Sequence, residues 1–509
     1  MSRQFFLACA LLAALGACPG DQDFIIVTVT GRAAVHDIKT LKVTLSNAGT
    51  MRTDELPFGE QQLPVTFSVS APGRTGDLGV SVEGLDKDGL LVGLGTATST
   101  LDVLTADVLL ESADFVINTD YAEDQFPSDD YEAHGFQVSA APDGSTWTAA
   151  YRDRCNSPCN MFARRFDKAG RAVQTKLAAS TNGFPMSTTP TTSVSTPAIA
   201  TAGNNTIEAW DFNDPTAMTT TVGIACRSID ATGQGNPNQV TIATDASSDV
   251  VAISPLSNGF FAVAWSAIIT TGVVRSAIVR SDCMVMAGLS TVSTTASARK
   301  VSVAAVGTTV MYAFVVAGGV RLRFGNFSNV FTSPTDVQFL AATGTEQIES
   351  VRVAPLGTGF AVFVRWALSG SFMGPGRIEL YRTSVTGSVI GSPVLVSTKS
   401  GSDFASSEAF GVASRSDGVL MVTWHSCLTN GDGSGCGVWG RAFRENGTPV
   451  GNEFIIPTTT MGDQSNPSVA PIADAFVVVW KDESAQAPDV AGSAIRGRII
   501  YPTQAAGGN

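Results

Sequence analysis

The side chains of this chain that could do chemistry are carboxylates, a few thiols and three histidines. Its 509 residues hold 45 Asp and Glu, 8 Cys and 3 His. Two carboxylates flanking a glycosidic bond can cleave it as an acid and a nucleophile or base. Here they are too many and too dispersed for the sequence to name a pair. Two acidic stretches could offer hard oxygens to calcium. One holds Asp120, Glu123, Asp124, Asp129, Asp130 and Glu132, and the other is Asp432 in the Gly-rich run 430–435. Asp129, Asp130 and Asp432 are the calcium candidates, solvated loops are the simpler reading, and no other cofactor is expected. His36, His134 and His425 lie far apart, which argues against a zinc cluster. No G-x-S-x-G elbow occurs and no Ser, His and Asp arrangement recommends itself, so no catalytic residue is assigned and a binding role is favoured over an enzymatic one.

The thiols are more informative. Arg3 is followed by an apolar run, residues 5–15, and then by Leu15-Gly16-Ala17-Cys18, the layout of an export signal. That run resembles the lipobox of bacterial lipoproteins. The resemblance implies a signal peptide over residues 1–18, diacylglycerol on the Cys18 thiol and a membrane-anchored protein of the cell envelope. The outer membrane or cell surface is expected over the inner membrane. Cys9 falls inside the signal, which leaves Cys155, Cys159, Cys226, Cys283, Cys427 and Cys436. An oxidising compartment favours disulfides among them. The close pairs Cys155 with Cys159 and Cys427 with Cys436 are the least demanding bridges, which leaves Cys226 with Cys283.

The elements that position these residues read as strands. Gly is frequent (50) and only 15% of residues are charged, as in many short strands joined by tight turns. The class is all-β. A net charge of −13 with no basic run argues against nucleic acid as a partner. After Leu15 no apolar run reaches the ~18 residues that cross a bilayer as a helix, so the remainder is expected to be soluble. The length calls for two or more domains. Residues 19–112 alternate apolar and polar in several runs, among them 24–29, 41–45 and 65–69, which suggests an immunoglobulin-like or fibronectin-like β-sandwich.

Beyond residue 113 the chain repeats. Tyr151, Trp210, Trp265, Phe314, Trp366, Trp424 and Trp480 recur every 49 to 59 residues, each ending a hydrophobic strand. An Arg recurs in the next strand: Arg164, Arg227, Arg280, Arg382, Arg441 and Arg498, with Arg321 and Arg323 offered by the fourth unit. Strands rich in small residues precede the aromatics at 136–141, 197–202, 250–254, 300–305, 350–354, 410–413 and 467–470, as a crowded central axis would require. Four strands repeated seven times predict a seven-bladed β-propeller over residues 113–502, followed by a flexible tail, 503–509. The last unit lacks an outer strand, and residues 114–118 parallel the missing one, so an N-terminal strand is expected to close the ring and remove its raw edge. The repeat also resembles a bacterial propeller-type repeat of the form V-V-W, G-x-x-R-x-F and G-T-P-V-G, most clearly in the last two units.

One aromatic or Arg per unit at a fixed position points to packing and to hydrogen bonding between blades. The turns between first and second strands are short, whereas the second-to-third loops, residues 152–160, 211–220, 367–376, 425–437 and 481–492, are long and share one face. That face is where a protein or polysaccharide ligand is expected. The whole therefore reads as a monomeric, lipid-anchored binding or scaffold protein. The alternative is an extracytoplasmic glycoside hydrolase or lyase using carboxylates on the propeller face.

Overall fold

A computed structural model describes residues 24–73, 75–100, 103–118, 136–152, 161–173, 184–186, 193–194, 197–214, 221–230, 235–244, 250–267, 272–342, 344, 346–368, 376–397, 410–427, 431–490 and 492–502. Cys18, Asp129, Asp130, His134, Cys155, Cys159 and the tail 503–509 lie outside them. No α-helix occurs among the described residues. The chain folds as two compact units, one of residues 37–111 with the strand before residue 33, the other of residues 112 onward with 33–36.

The first unit contains β1 (Phe24–Gly31), β2 (Thr40–Asn47), β3 (Thr50–Pro57), β4 (Val65–Ser70), β5 (Leu78–Leu85), β6 (Leu91–Ser99) and β7 (Thr105–Ser112). Strict period-two alternation buries Ile25, Val27 and Val29 of β1, Leu41, Val43 and Leu45 of β2, and Leu78, Val80 and Val82 of β5. The strands join in the single order β3-β2-β5-β6-β7-β1-β4, with β1 parallel to β7 and antiparallel to β4. This is a half-barrel instead of the expected two-layer sandwich. Alternation reports one dry face and one wet face, and a strongly curved sheet can bury its dry face against itself.

The second unit is a seven-bladed β-propeller. Its inner strands are Phe136–Ala140, Ala198–Ala202, Val251–Pro255, Arg299–Val306, Glu346–Leu356, Phe410–Ser414 and Gln464–Ile472, each leading an antiparallel sheet. Each inner strand adjoins the next around the axis, and the seventh adjoins the first. Blade seven runs from Gln464–Ile472 through Ala475–Asp482 and Ala494–Ile500 to β8 (Phe115–Val116), a strand encoded before the first blade. Tight first-to-second turns explain their glycines. Gly144 has φ +66°, and a Cβ there would collide with the backbone of Ala473.

One device joining outer strands was not foreseen from the sequence. Asp336, just before the outer strand Val337–Ala341 of blade four, accepts the N–H groups of Thr294 (2.7 Å) and Thr295 (3.2 Å) beyond the outer strand of blade three. Asp114, just before β8, likewise accepts those of Thr458 and Thr459 (2.9 Å each) beyond the outer strand of blade six. Desolvation pushes the Asp336 carboxyl up, but bonds from Thr294, Arg321 and Thr295 together leave it below its usual range. At Asp114 burial wins over Arg498 and the two threonines, and the pKa is raised.

Candidate functional site

The repeated aromatics lie in the later half of the second strands and are buried in the blade cores. Tyr151, Trp210, Trp265, Phe314, Trp424 and Trp480 are at most 1% exposed and Trp366 is 5%, so none offers a ring face to a ligand. Each such ring buries enough area to contribute about 4–6 kcal/mol of transfer free energy before ordering is counted.

The recurrent Arg falls into register when counted from the residue opposite the aromatic. Arg441 stands two beyond Trp439, the partner of Trp424; Arg498, Arg227, Arg164 and Arg323 stand two beyond the partners of Trp480, Trp210, Tyr151 and Phe314. Four of these reach the preceding blade and donate to the carbonyl that follows its outer strand. Arg164 donates to Ile117 (2.5 Å), Arg227 to Met186 (3.4 Å), Arg441 to Val396 (2.8 Å) and Arg498 to Ile456 (2.6 Å). Arg323 lies over the Phe331 ring at 4.5 Å. Arg280 and Arg382 are not equivalent to them, because the register position in blades three and five is Ala277 and Glu379. Arg280 instead pairs with Asp282 in its own turn. Unequal second-to-third loops defeat linear counting, whereas counting across a ladder does not.

The inner strands enclose an axial channel with two cavities. The one toward the hairpin turns has a volume of about 450 Å³ and the one toward the long-loop face about 180 Å³. Val138, Ile253, Val303, Val353, Val412 and Val469, one from each of six blades, line both. The two cavities therefore meet at an apolar collar of β-branched side chains. Small residues were expected at the axis, but branched residues fit a pleated wall and fill the middle of the channel better. On the long-loop side the described lining includes Gln137, Ser302, Arg352, Phe410 and Ser468. Ser302 accepts the Val353 N–H (3.1 Å) and Ser468 the Val138 N–H (3.2 Å), so both hydroxyls stitch neighbouring blades.

Under the long-loop face of blades five to seven lies a belt of buried polar groups. Arg365 pairs with Glu349, and Arg496 with Asp482 at 2.7 Å, all four under 7% exposed. Asp482 also accepts Ser484 Oγ (2.5 Å) and Gln464 Nε2 (3.3 Å). His425, 2% exposed on the second strand of blade six, accepts the Asn466 N–H on Nδ1 at 3.4 Å. Burial first and the nearby Arg365 charge second push its pKa down to about 3. Because the unfolded value is 6.5, the unfolded chain binds one proton more than the folded chain between pH 6.5 and about 3. Stability is therefore full above 6.5 and falls with acidification by about 1.4 kcal/mol per pH unit on account of this residue. The His425→Gln variant is expected to lose about 2 kcal/mol less than the parent between pH 7 and pH 5 in calorimetric melts. Identical pH slopes would remove His425 as the cause.

The described thiols form two bridges, Cys226–Cys283 and Cys427–Cys436. The second braces a long loop whose Cys436 N–H donates to Asp463 (2.8 Å) and whose Cys436 carbonyl accepts the Gln464 N–H (2.7 Å). Asp432, in that loop, accepts the Ser434 N–H at 3.1 Å, and desolvation first raises its pKa. Among the described residues no three acidic, Cys or His side chains converge on a metal position. His36 contacts the Ala169 carbonyl at 3.1 Å.

No protein-family model matches the chain, and no curated protein matches it in sequence. Among solved structures it is similar to the phage phi92 endosialidase at 9% identity and a TM-score of 0.40, over 76% of this chain and 67% of that one. It is similar to the six-bladed fungal lectin of Aleuria aurantia at 9% identity and 0.39, over 64% and 97%. Hydrazine synthase of Kuenenia stuttgartiensis gives 11% identity and 0.40, over 70% and 95%. Scores of this size carry no argument about ligand or chemistry.

Proposed function

We propose that the protein is a lipid-anchored binding or scaffold protein of the cell envelope. It engages a protein or polysaccharide with the long-loop face. The observation that carries the reading is the contrast between the two ends of the blades. One end is made of tight turns. At the other, the 427–436 bridge, the Cys436 N–H bond to Asp463 and the Gln464 N–H bond to the Cys436 carbonyl hold the described end of one long loop, while the Asp482, Ser484 and Arg496 network anchors the next. Loops held in one shape before binding lose less entropy when a partner arrives. The anchor rests on the lipobox and Cys18. The same reading takes β8 as the N-terminal strand that seals the ring, as its pairing in blade seven supports. For the rival, polysaccharide cleavage by carboxylates near the axis, the described channel lining supplies only Asp143, in the hairpin turn of blade one.

One experiment with two arms tests this. The secreted form would be titrated against envelope polysaccharides and photo-crosslinked on intact cells, beside a variant with residues 428–435 replaced by a Gly-Ser linker. Binding is expected to weaken at least about tenfold, which is 1.4 kcal/mol, and unchanged binding to every ligand sinks the face. In the other arm palmitate labelling should vanish in Cys18→Ala, and a variant that still labels sinks the anchor. Turnover of a polysaccharide, abolished by a single carboxylate change, would put the rival in its place.

A further inference from the structure

The long-loop end of the axial channel has a chemistry of its own. Its volume of about 180 Å³ is ample for one small group. Among its described lining residues Arg352 is the one charged side chain. It rises from the inner strand of blade five beside the collar residue Val353, and its guanidinium carbon lies 5.7 Å from the centroid of the Phe410 ring. Gln137, from blade one, adds an amide to the same wall. Ser302 and Ser468 accept backbone N–H groups, so each hydroxyl keeps its own proton to donate. No Asp or Glu occurs in the described lining, in a chain whose net charge is −13. The cavity is thus rich in donors and positive in sign, with an apolar floor.

We propose that this end of the channel is a subsite for one carboxylate group, received by Arg352 with Gln137 beside it. A guanidinium carries five N–H donors, one of which serves the Val351 carbonyl here (3.2 Å), and its planar fork matches the two oxygens of a carboxylate. Burial lowers the Arg352 pKa to about 10, so the group stays cationic at neutral pH while its charge is poorly hydrated. An anion arriving there gains more Coulomb energy than it would at an exposed arginine. The collar makes the inner end of the cavity apolar, so a polar ligand is placed with its remaining atoms toward the long-loop face. The inference rests on the proposed reading for the choice of face alone. A free organic acid and the carboxylate of an acidic sugar share the required chemistry.

Calorimetric titration of the secreted form with acetate, glucuronate, glucose and inorganic phosphate tests the subsite. Acetate or glucuronate should bind in the millimolar range and glucose should not. Tighter binding of glucuronate than of acetate assigns the source to an acidic sugar, and the reverse to a free acid. Arg352→Met should weaken carboxylate binding about 30-fold and Arg352→Lys several-fold, since lysine keeps the charge but loses the fork. Should Arg352→Met fail to fold, Gln137→Ala, expected to weaken binding about fivefold, serves in its place. Equal binding by the folded variants, tighter binding of phosphate than of carboxylate, or no carboxylate binding by the parent overturns the proposal. The 428–435 linker variant should bind acetate like the parent, so loss of polymer binding there and loss of acetate binding in Arg352→Met report separate failures.

Discussion

Replacing Arg496 by Met should lower the melting temperature of the propeller by about 4–6 °C. Arg496 and Asp482 are 3% and 1% exposed and meet at 2.7 Å, and the guanidinium also donates to the carbonyls of Gln486 (2.5 Å) and Ala487 (3.4 Å). Removing the cation strands a buried carboxylate and two carbonyls, and a buried pair broken on one side loses about 3–5 kcal/mol. For a unit of roughly 400 residues the unfolding entropy is about 0.8 kcal/mol per kelvin, which gives the stated shift. The double variant Arg496→Met with Asp482→Leu should recover most of it, because an apolar pair of similar volume carries no stranded charge. Differential scanning calorimetry of both decides. A single variant within about 1 °C of the parent, or a double variant worse than the single, contradicts the account.

The second large effect is expected at the Cys226–Cys283 bridge. It ties the third strand of blade two, Thr221–Ile229, to the turn after the third strand of blade three, Val273–Val279, and both cysteines are fully buried. Closing a loop over a separation of 57 residues removes unfolded-state entropy equivalent to about 4 kcal/mol, and the 9-residue separation of Cys427–Cys436 to about 3 kcal/mol. The inter-blade bridge also holds a packed seam, whereas the other closes a loop. Changing Cys226 and Cys283 together to Ala should therefore lower the melting temperature by about 5 °C, and the corresponding change of Cys427 and Cys436 by about 3 °C. The account fails if the first pair melts with the parent, or if the loop pair is the more damaging.

The ring was legible because Trp210, Trp265, Trp366, Trp424 and Trp480 occupy one structural position, and a period near fifty residues survives loops of unequal length. Those loops misplaced Arg280 and Arg382, whose equivalence depends on ladder register and not on distance along the chain. The curl of the first unit was not legible either, since Val27 or Val80 is equally dry inside a sandwich and inside a half-barrel. The carboxylate clamps were hidden in another way. Asp336 and Thr294 are 42 residues apart, but Asp114 and Thr458 are 344 apart, so the recurrence shows only once the ring has closed. Arg365, Glu349, Asp482 and Arg496 read in the sequence as ordinary polar positions of alternating strands, and burial cannot be told from exposure where neighbouring blades cover both faces. The proposed binding face rests on loop lengths that the sequence shows, whereas Arg352, one arginine in an inner strand, has no periodic signature.

The collar formed by Val138, Ile253, Val303, Val353, Val412 and Val469 decides whether the axis can act as a conduit. A hydrated ion or sugar passing along it would have to shed its water against branched hydrocarbon, and apolar constrictions of this kind dewet and block. The six side chains form an apolar band where the two cavities meet. A polar solute crossing that band gives up hydration against branched hydrocarbon, so the two mouths differ in what they hold: donors at one, hairpin-turn backbone at the other.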